Sequence, residues 1–211
     1  ILYCYPEEID DALIEVIKNE PKVCHYLDMP IQHASDSILK KMGRRTTKQE
    51  LKDVINKLRE NIPDIALRTT LITGFPGETQ KDHEEMLDFV DEMEFDRLGV
   101  FPYSQEEDTV AAELPDQISE EVKEARRDEL MELQQDISAE LGERRIGQEL
   151  LVMIEGKVAD EDAYVGRSQA DAPGVDGYVF VNTPETLVSG DFVRVKITGA
   201  LEYDLIGEIS Q

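Results

Sequence analysis

The sequence predicts an α/β fold, a partial (β/α) barrel with parallel strands, followed by a small five-stranded antiparallel OB-like β-barrel. Three observations carry that expectation. Up to residue 103, apolar β-branched runs alternate with amphipathic stretches, the rhythm of βα units around a parallel sheet. Residues 65–73 (IALRTTLIT) are nearly unbroken apolar and β-branched, which suits a strand covered on both faces. After Ile146 the hydrophobic period falls to two and Gly-rich turns separate short strands.

Residues 1–5 already read as the middle of a strand, without an initiator Met, which suggests a longer protein. Pro6 opens a predicted helix with Ile9, Leu13, Val16 and Ile17 on one face, ending at Glu20 and Pro21. A strand is expected over 23–29, then a polar segment over 30–35 and a helical turn over 35–42. Thr47 with Glu50 forms a capping box for a helix whose core side holds Leu51, Val54, Ile55, Leu58 and Ile62.

After the central strand, Gly74 and Gly77 bracket Phe75 and Pro76, permitting a sharp turn. Thr79 and Asp82 then cap a helix over 79–93 with Met86, Leu87, Val90 and Met93 inward. Its N-terminus is a natural place for a carboxylate or phosphate. A fourth strand is expected over 96–103. Four strands are too few to close a (β/α)₈ barrel, so a partial barrel, or one without its first strands, fits. Ligands belong at the C-terminal strand ends, here 29–35, 73–78 and 101–108.

Ser119 caps a long charged helix with Leu130, Leu133, Ile137 and Leu141 along one stripe. It closes a first domain, 1–145. The second, 146–211, holds expected strands over 149–155, 163–167, 177–181, 192–197 and 205–209.

The net charge is −25, from 47 acidic and 22 basic residues. Such a surface repels phosphate backbones and attracts a basic partner, although acidic excess also serves solubility alone. Cys4 and Cys24 lie outside metal-type spacing and are expected to be small buried hydrophobes. His25, His33 and His83 are scattered, so no metal site is expected. No apolar run approaches the roughly 18 residues of a membrane span, and a cytoplasmic protein is the expectation.

Several polar residues fall at the expected strand ends. Gln32, His33 and Ser35 follow one strand. Arg68, Thr70, Ile72 and Gly74 share a parity on the central strand and so point to one side. A guanidinium there is costly to bury unless an anion meets it. Phe101 and Tyr103 share a parity on the last strand, where they serve either to stack on a purine or to pack a core.

DMPIQHASDSILKKMGRRTT, RTTLITGFPGET and FPYSQEEDT together resemble the later part of a radical S-adenosylmethionine barrel of the methylthiotransferases. Residues 146–211 resemble the TRAM domain that closes those enzymes. Within it, GRSQADAPGVDG at 166–177 resembles the RimO-type branch, which modifies the β-carbon of an aspartate in a basic small-subunit ribosomal protein. The sister MiaB-type branch modifies a tRNA adenosine.

The resemblance implies S-adenosylmethionine as cofactor and two 4Fe-4S clusters in the full-length enzyme. Cys4 and Cys24 match neither cluster motif. No catalytic residue and no metal ligand is therefore expected here, and the fragment alone should be inert. By the same resemblance, Arg68, Thr70 and Gly74 flank the methionine moiety and Gln32 and His33 face ribose or substrate. Phe101 and Tyr103 stand near adenine, while Asp171 and Asp176 face a Lys/Arg-rich protein.

Twelve Asp/Glu against four Lys/Arg in 146–211 speak against the tRNA branch and against direct nucleic-acid binding. A non-catalytic acidic module that binds basic proteins is the reading from another class. The oligomeric state is left open.

Overall fold

The structure is a computed structural model and describes residues 1–210. The chain falls into two compact units, Ile1–Gln134 and the remainder from Gln135.

The first unit is built on a parallel sheet of three strands in the order β1 (Tyr26–Asp28), β2 (Ala66–Thr73) and β3 (Arg97–Pro102). Helices α3 (Lys48–Asn61) and α4 (Gln80–Met93) are the crossovers that let consecutive strands run parallel. Both start at the expected capping boxes. Thr47 accepts from the Glu50 amide while the Glu50 carboxylate accepts from the Thr47 amide at 2.7 Å, and Thr79 pairs with Asp82 in the same way. The Thr47 amide holds the Glu50 carboxyl below its ordinary value. Leu51, Ile55, Leu58, Met86, Phe89 and Val90 supply the helical side of the core. The two faces of β2 differ: Leu67, Thr69, Leu71 and Thr73 are buried, whereas Arg68, Thr70 and Ile72 are half-buried.

Four expectations are corrected in this unit. Residues 1–5 form no strand, because Tyr3 adopts φ 58° and breaks the extended run. They still bond to the edge of β1, with Cys4 N donating to Asp28 O at 2.9 Å and Asp28 N to Ile1 O at 3.0 Å. The helix expected from Pro6 splits into a 3₁₀ turn (Pro6–Glu8) and α1 (Asp11–Asn19), which Asp10 caps by accepting from Leu13 N. That break rotates the buried face onto Ile14 and Ile17 and leaves Val16 52% exposed. Cys24 is exposed, since β1 begins only at Tyr26.

The turn expected over 35–42 is α2 (Asp36–Lys41). Helix α5 (Glu120–Glu143) spans the boundary between the units. Its buried stripe differs from the leucine stripe read in the sequence: Leu130 and Ile137 are joined by Lys123, Arg126, Gln134 and Ser138, while Leu133 and Leu141 are half-buried. Polar side chains occupy that face because their heads find acceptors there; Gln134 donates to Phe95 O at 2.7 Å.

The second unit contains a closed barrel of β4 (Glu149–Lys157), β5 (Ala163–Arg167), β6 (Val179–Asn182), β7 (Phe192–Ala200) and β8 (Leu205–Ile209), in the order β4-β5-β6-β8-β7. Val152, Ile154, Tyr164, Val179, Val181, Val195 and Ile197 fill it. It is not wholly antiparallel, because β6 and β8 run parallel. A closed ring with an odd number of strands cannot alternate direction all the way round, so one parallel pair is unavoidable. Among the described residues, no helix is long and apolar enough to cross a membrane.

Candidate functional site

Past β1 the chain lies alongside β2, with Gln32 N donating to Thr70 O at 2.9 Å and Ile72 N to Gln32 O at 2.8 Å. Gln32 takes φ 71° to do so. The register places Asp28, Arg68 and Arg97 side by side on the three strands. Arg68 donates to the buried Asp28 carboxylate at 3.2 Å and its side chain is 15% exposed. A Cβ on Gly99 would stand 3.3 Å from the Phe101 ring and 3.5 Å from Arg68 Nη2. That glycine makes room for both side chains, and Phe101 remains 56% exposed. Arg68, Thr70 and Phe101 therefore share one accessible face, bordered by the Gln32 segment.

Three other residues singled out in the sequence lie inside. His33 is fully buried; its Nδ1 accepts from Ser35 N at 2.9 Å, and its Nε2 lies 3.4 Å from Glu78 Oε2 without a hydrogen bond. Tyr103 packs its ring edge-on against Phe75 at 5.3 Å, in a cluster with Ile38. Gly74 (φ +69°) is covered by Lys123, whose Cγ would stand 2.2 Å from a Cβ placed on the glycine. Its close approach is to α5.

The organising group of these strand ends is Glu78, which the sequence reading passed over. Its buried carboxylate accepts from Gly74 N at 2.7 Å and Phe75 N at 3.3 Å through Oε2, and from Arg126 Nη1 at 2.8 Å through Oε1. Arg126 also donates to Glu78 O at 3.2 Å. Lys123 donates to Tyr103 O at 3.0 Å, and Thr73 Oγ1 donates to Lys123 O at 3.0 Å. The signal available in the sequence was the acid closing GFPGE together with two cations at i, i+3 on α5.

The start of α4, read as an anion site, is filled by the chain's own carboxylate. Asp82 accepts from Ser35 Oγ at 2.5 Å, Thr79 Oγ1 at 2.6 Å and Ser37 Oγ at 2.8 Å. Burial pushes its carboxyl up, but the donors Ser35, Thr79 and Ser37 outweigh that and hold it well below the usual carboxylate range.

In the second unit, Asp171 is buried and accepts from Ser168 Oγ at 2.7 Å, while Asp176 accepts from Ala172 N at 2.8 Å. Both carboxylates staple the GRSQADAPGVDG loop. The exposed acids of residues 146–210 lie elsewhere, at Glu149, Asp160, Glu161, Asp162, Glu185, Glu202 and Glu208. Cys4 is half-buried, and among the described residues no group of three or more His, Cys, Asp or Glu is placed to hold a metal ion.

Residues 2–90 match the Radical SAM superfamily and residues 146–209 the TRAM domain. A protein of Lachnoclostridium phytofermentans described as ribosomal protein uS12 methylthiotransferase RimO is 61% identical over 207 residues, covering 98% of this chain and 47% of the relative. Relatives with the same description from Desulfitobacterium hafniense and Geobacter sulfurreducens are 54% and 53% identical over 211 and 210 residues; these cover 100% and 99% of this chain and 47% of each relative. The chain spans about half the length of the curated relatives it matches.

Proposed function

The chain belongs to the TRAM-bearing methylthiotransferases of the radical S-adenosylmethionine superfamily, and on this premise we propose that it forms a cofactor wall and a recognition barrel. The full-length enzyme to which they belong methylthiolates the β-carbon of an aspartate in a basic small-subunit ribosomal protein; this chain alone does not. The relatives' description, which names ribosomal protein uS12, supports that substrate class.

The observation that carries the reading is the accessible face shared by Arg68, Thr70 and Phe101 at neighbouring strands. These residues fit S-adenosylmethionine: a guanidinium for a carboxylate, a hydroxyl for a polar edge, and an aromatic ring for adenine. When bound, that cofactor supplies the radical and methyl chemistry. Arg68, steadied by Asp28, orients the carboxylate, and Phe101 shields the base from water. Cys4 and Cys24 do not fit the 4Fe-4S clusters that the family implies.

A net charge of −25 suits a Lys/Arg-rich substrate. One observation favours the tRNA branch instead: Arg194 and Lys196 are exposed on β7 together with Phe192. Retention of ribosomal protein uS12 and of tRNA, measured side by side at about 0.05 M and 0.3 M salt, separates the two. The expected result is uS12 bound at both, tRNA at neither; preferential tRNA retention overturns the reading.

A further inference from the structure

We infer that Arg126 is a positioning residue for the cofactor face, acting through Glu78 on the Gly74–Phe75 backbone and on the His33 ring. The inference rests on the reading above, that S-adenosylmethionine lies against these strand ends.

Four chain segments meet at one carboxylate. Glu78 Oε1 takes the Arg126 guanidinium, and Oε2 takes the two amides of the turn that ends β2. His33 Nε2 stands 3.4 Å from the same Oε2, while His33 Nδ1 holds the Ser35 amide. Gln32, the residue before His33, accepts from Ile72 and donates to Thr70 through its backbone. A displacement of Glu78 therefore reaches the edge of the face carrying Arg68, Thr70 and Phe101 within two contacts. The Glu78 side chain is fully buried and that of Arg126 is 10% exposed, so neither charge has water to replace the other. Without Arg126, the carboxylate must turn toward other donors, and it takes the two amides with it.

The test uses the full-length, cluster-loaded enzyme and labelled S-adenosylmethionine in equilibrium dialysis, with iron content and Tm measured alongside. Arg126→Met keeps the stem and removes the donors. It is expected to weaken cofactor binding about tenfold or more at unchanged iron content, with KM raised more than kcat falls. Arg126→Lys, which restores a cation, is expected to recover most of the loss. Affinity within about twofold of wild type in Arg126→Met, whatever its Tm, overturns the inference, since a merely structural brace moves Tm alone. Should Arg126→Met not fold, Glu78→Gln decides: it keeps an acceptor for the Gly74 amide, and wild-type affinity there likewise overturns the inference. Wild-type enzyme that binds no S-adenosylmethionine removes the underlying reading, and the inference falls with it.

Discussion

Lys123 crosses Gly74 so closely that a Cβ on the glycine would stand 2.2 Å from the lysine Cγ and 3.0 Å from its Cβ. The contact is at the base of the side chain, where rotation gives little relief. Gly74 also takes φ +69°, which a side chain tolerates poorly. Gly74→Ala is therefore expected to destabilise the chain by about 2–4 kcal/mol, combining backbone strain with overpacking. Adding Lys123→Ala should return only part of the steric share, since the lysine Cβ at 3.0 Å remains, and urea midpoints of the double variant and of each single one check this.

The Glu78–Arg126 pair gives a second expectation, about stability alone. Glu78→Ala strands the buried guanidinium and removes the acceptor for the Gly74 and Phe75 amides. A loss of about 3–5 kcal/mol is expected in denaturant unfolding. The double change Glu78→Leu with Arg126→Met removes both charges and should cost less than Glu78→Ala, because no ion is then left buried alone.

What the sequence made legible here was local or periodic. The two capping boxes, the parallel strand at 65–73 and the period-two barrel strands depend on neighbours a few residues away, and each is found where it is expected. The roles of His33, Gly74 and Tyr103 depend instead on α5, whose Lys123 and Arg126 return to the strand ends from far along the chain. No spacing rule announces that return. The same holds for Asp171: its count as an acid was readable, but its burial against Ser168 was not. Tyr3 illustrates a third failure, in which one residue at positive φ undoes an apolar run that propensity alone calls a strand.

Asp82 gives a pH-dependent expectation. Its carboxyl is depressed in the folded chain, so its contribution is fully present above the unfolded value of about 3.9 and is lost as pH falls through the folded one. Asp82→Asn is expected to cost about 1 kcal/mol at neutral pH, as for loss of a helix cap. The gap between the variant and wild type should stay constant from roughly pH 5 upward and narrow below about pH 4. Thermal unfolding across that range checks the sign; a gap that widens in acid would show that the donors Ser35, Ser37 and Thr79 do not favour the ionised form.

Tyr103 separates a core role from a cofactor role with one atom. Its ring is buried against Phe75, with Lys123 Nζ 5.2 Å from the ring centroid, and its hydroxyl makes no hydrogen bond to the described residues. A buried hydroxyl without a partner costs about 1–3 kcal/mol relative to an apolar group of the same shape. Tyr103→Phe should therefore leave stability unchanged or raise it by about 1 kcal/mol, and should leave S-adenosylmethionine affinity untouched. Phe101→Ala, at an exposed position within β3, should do the reverse: little change in unfolding, but cofactor binding weakened by about 1–2 kcal/mol through the lost stacking surface. If Tyr103→Phe is the variant that loses cofactor affinity, the hydroxyl reaches the ligand, and the cofactor face extends past Phe101 toward α5.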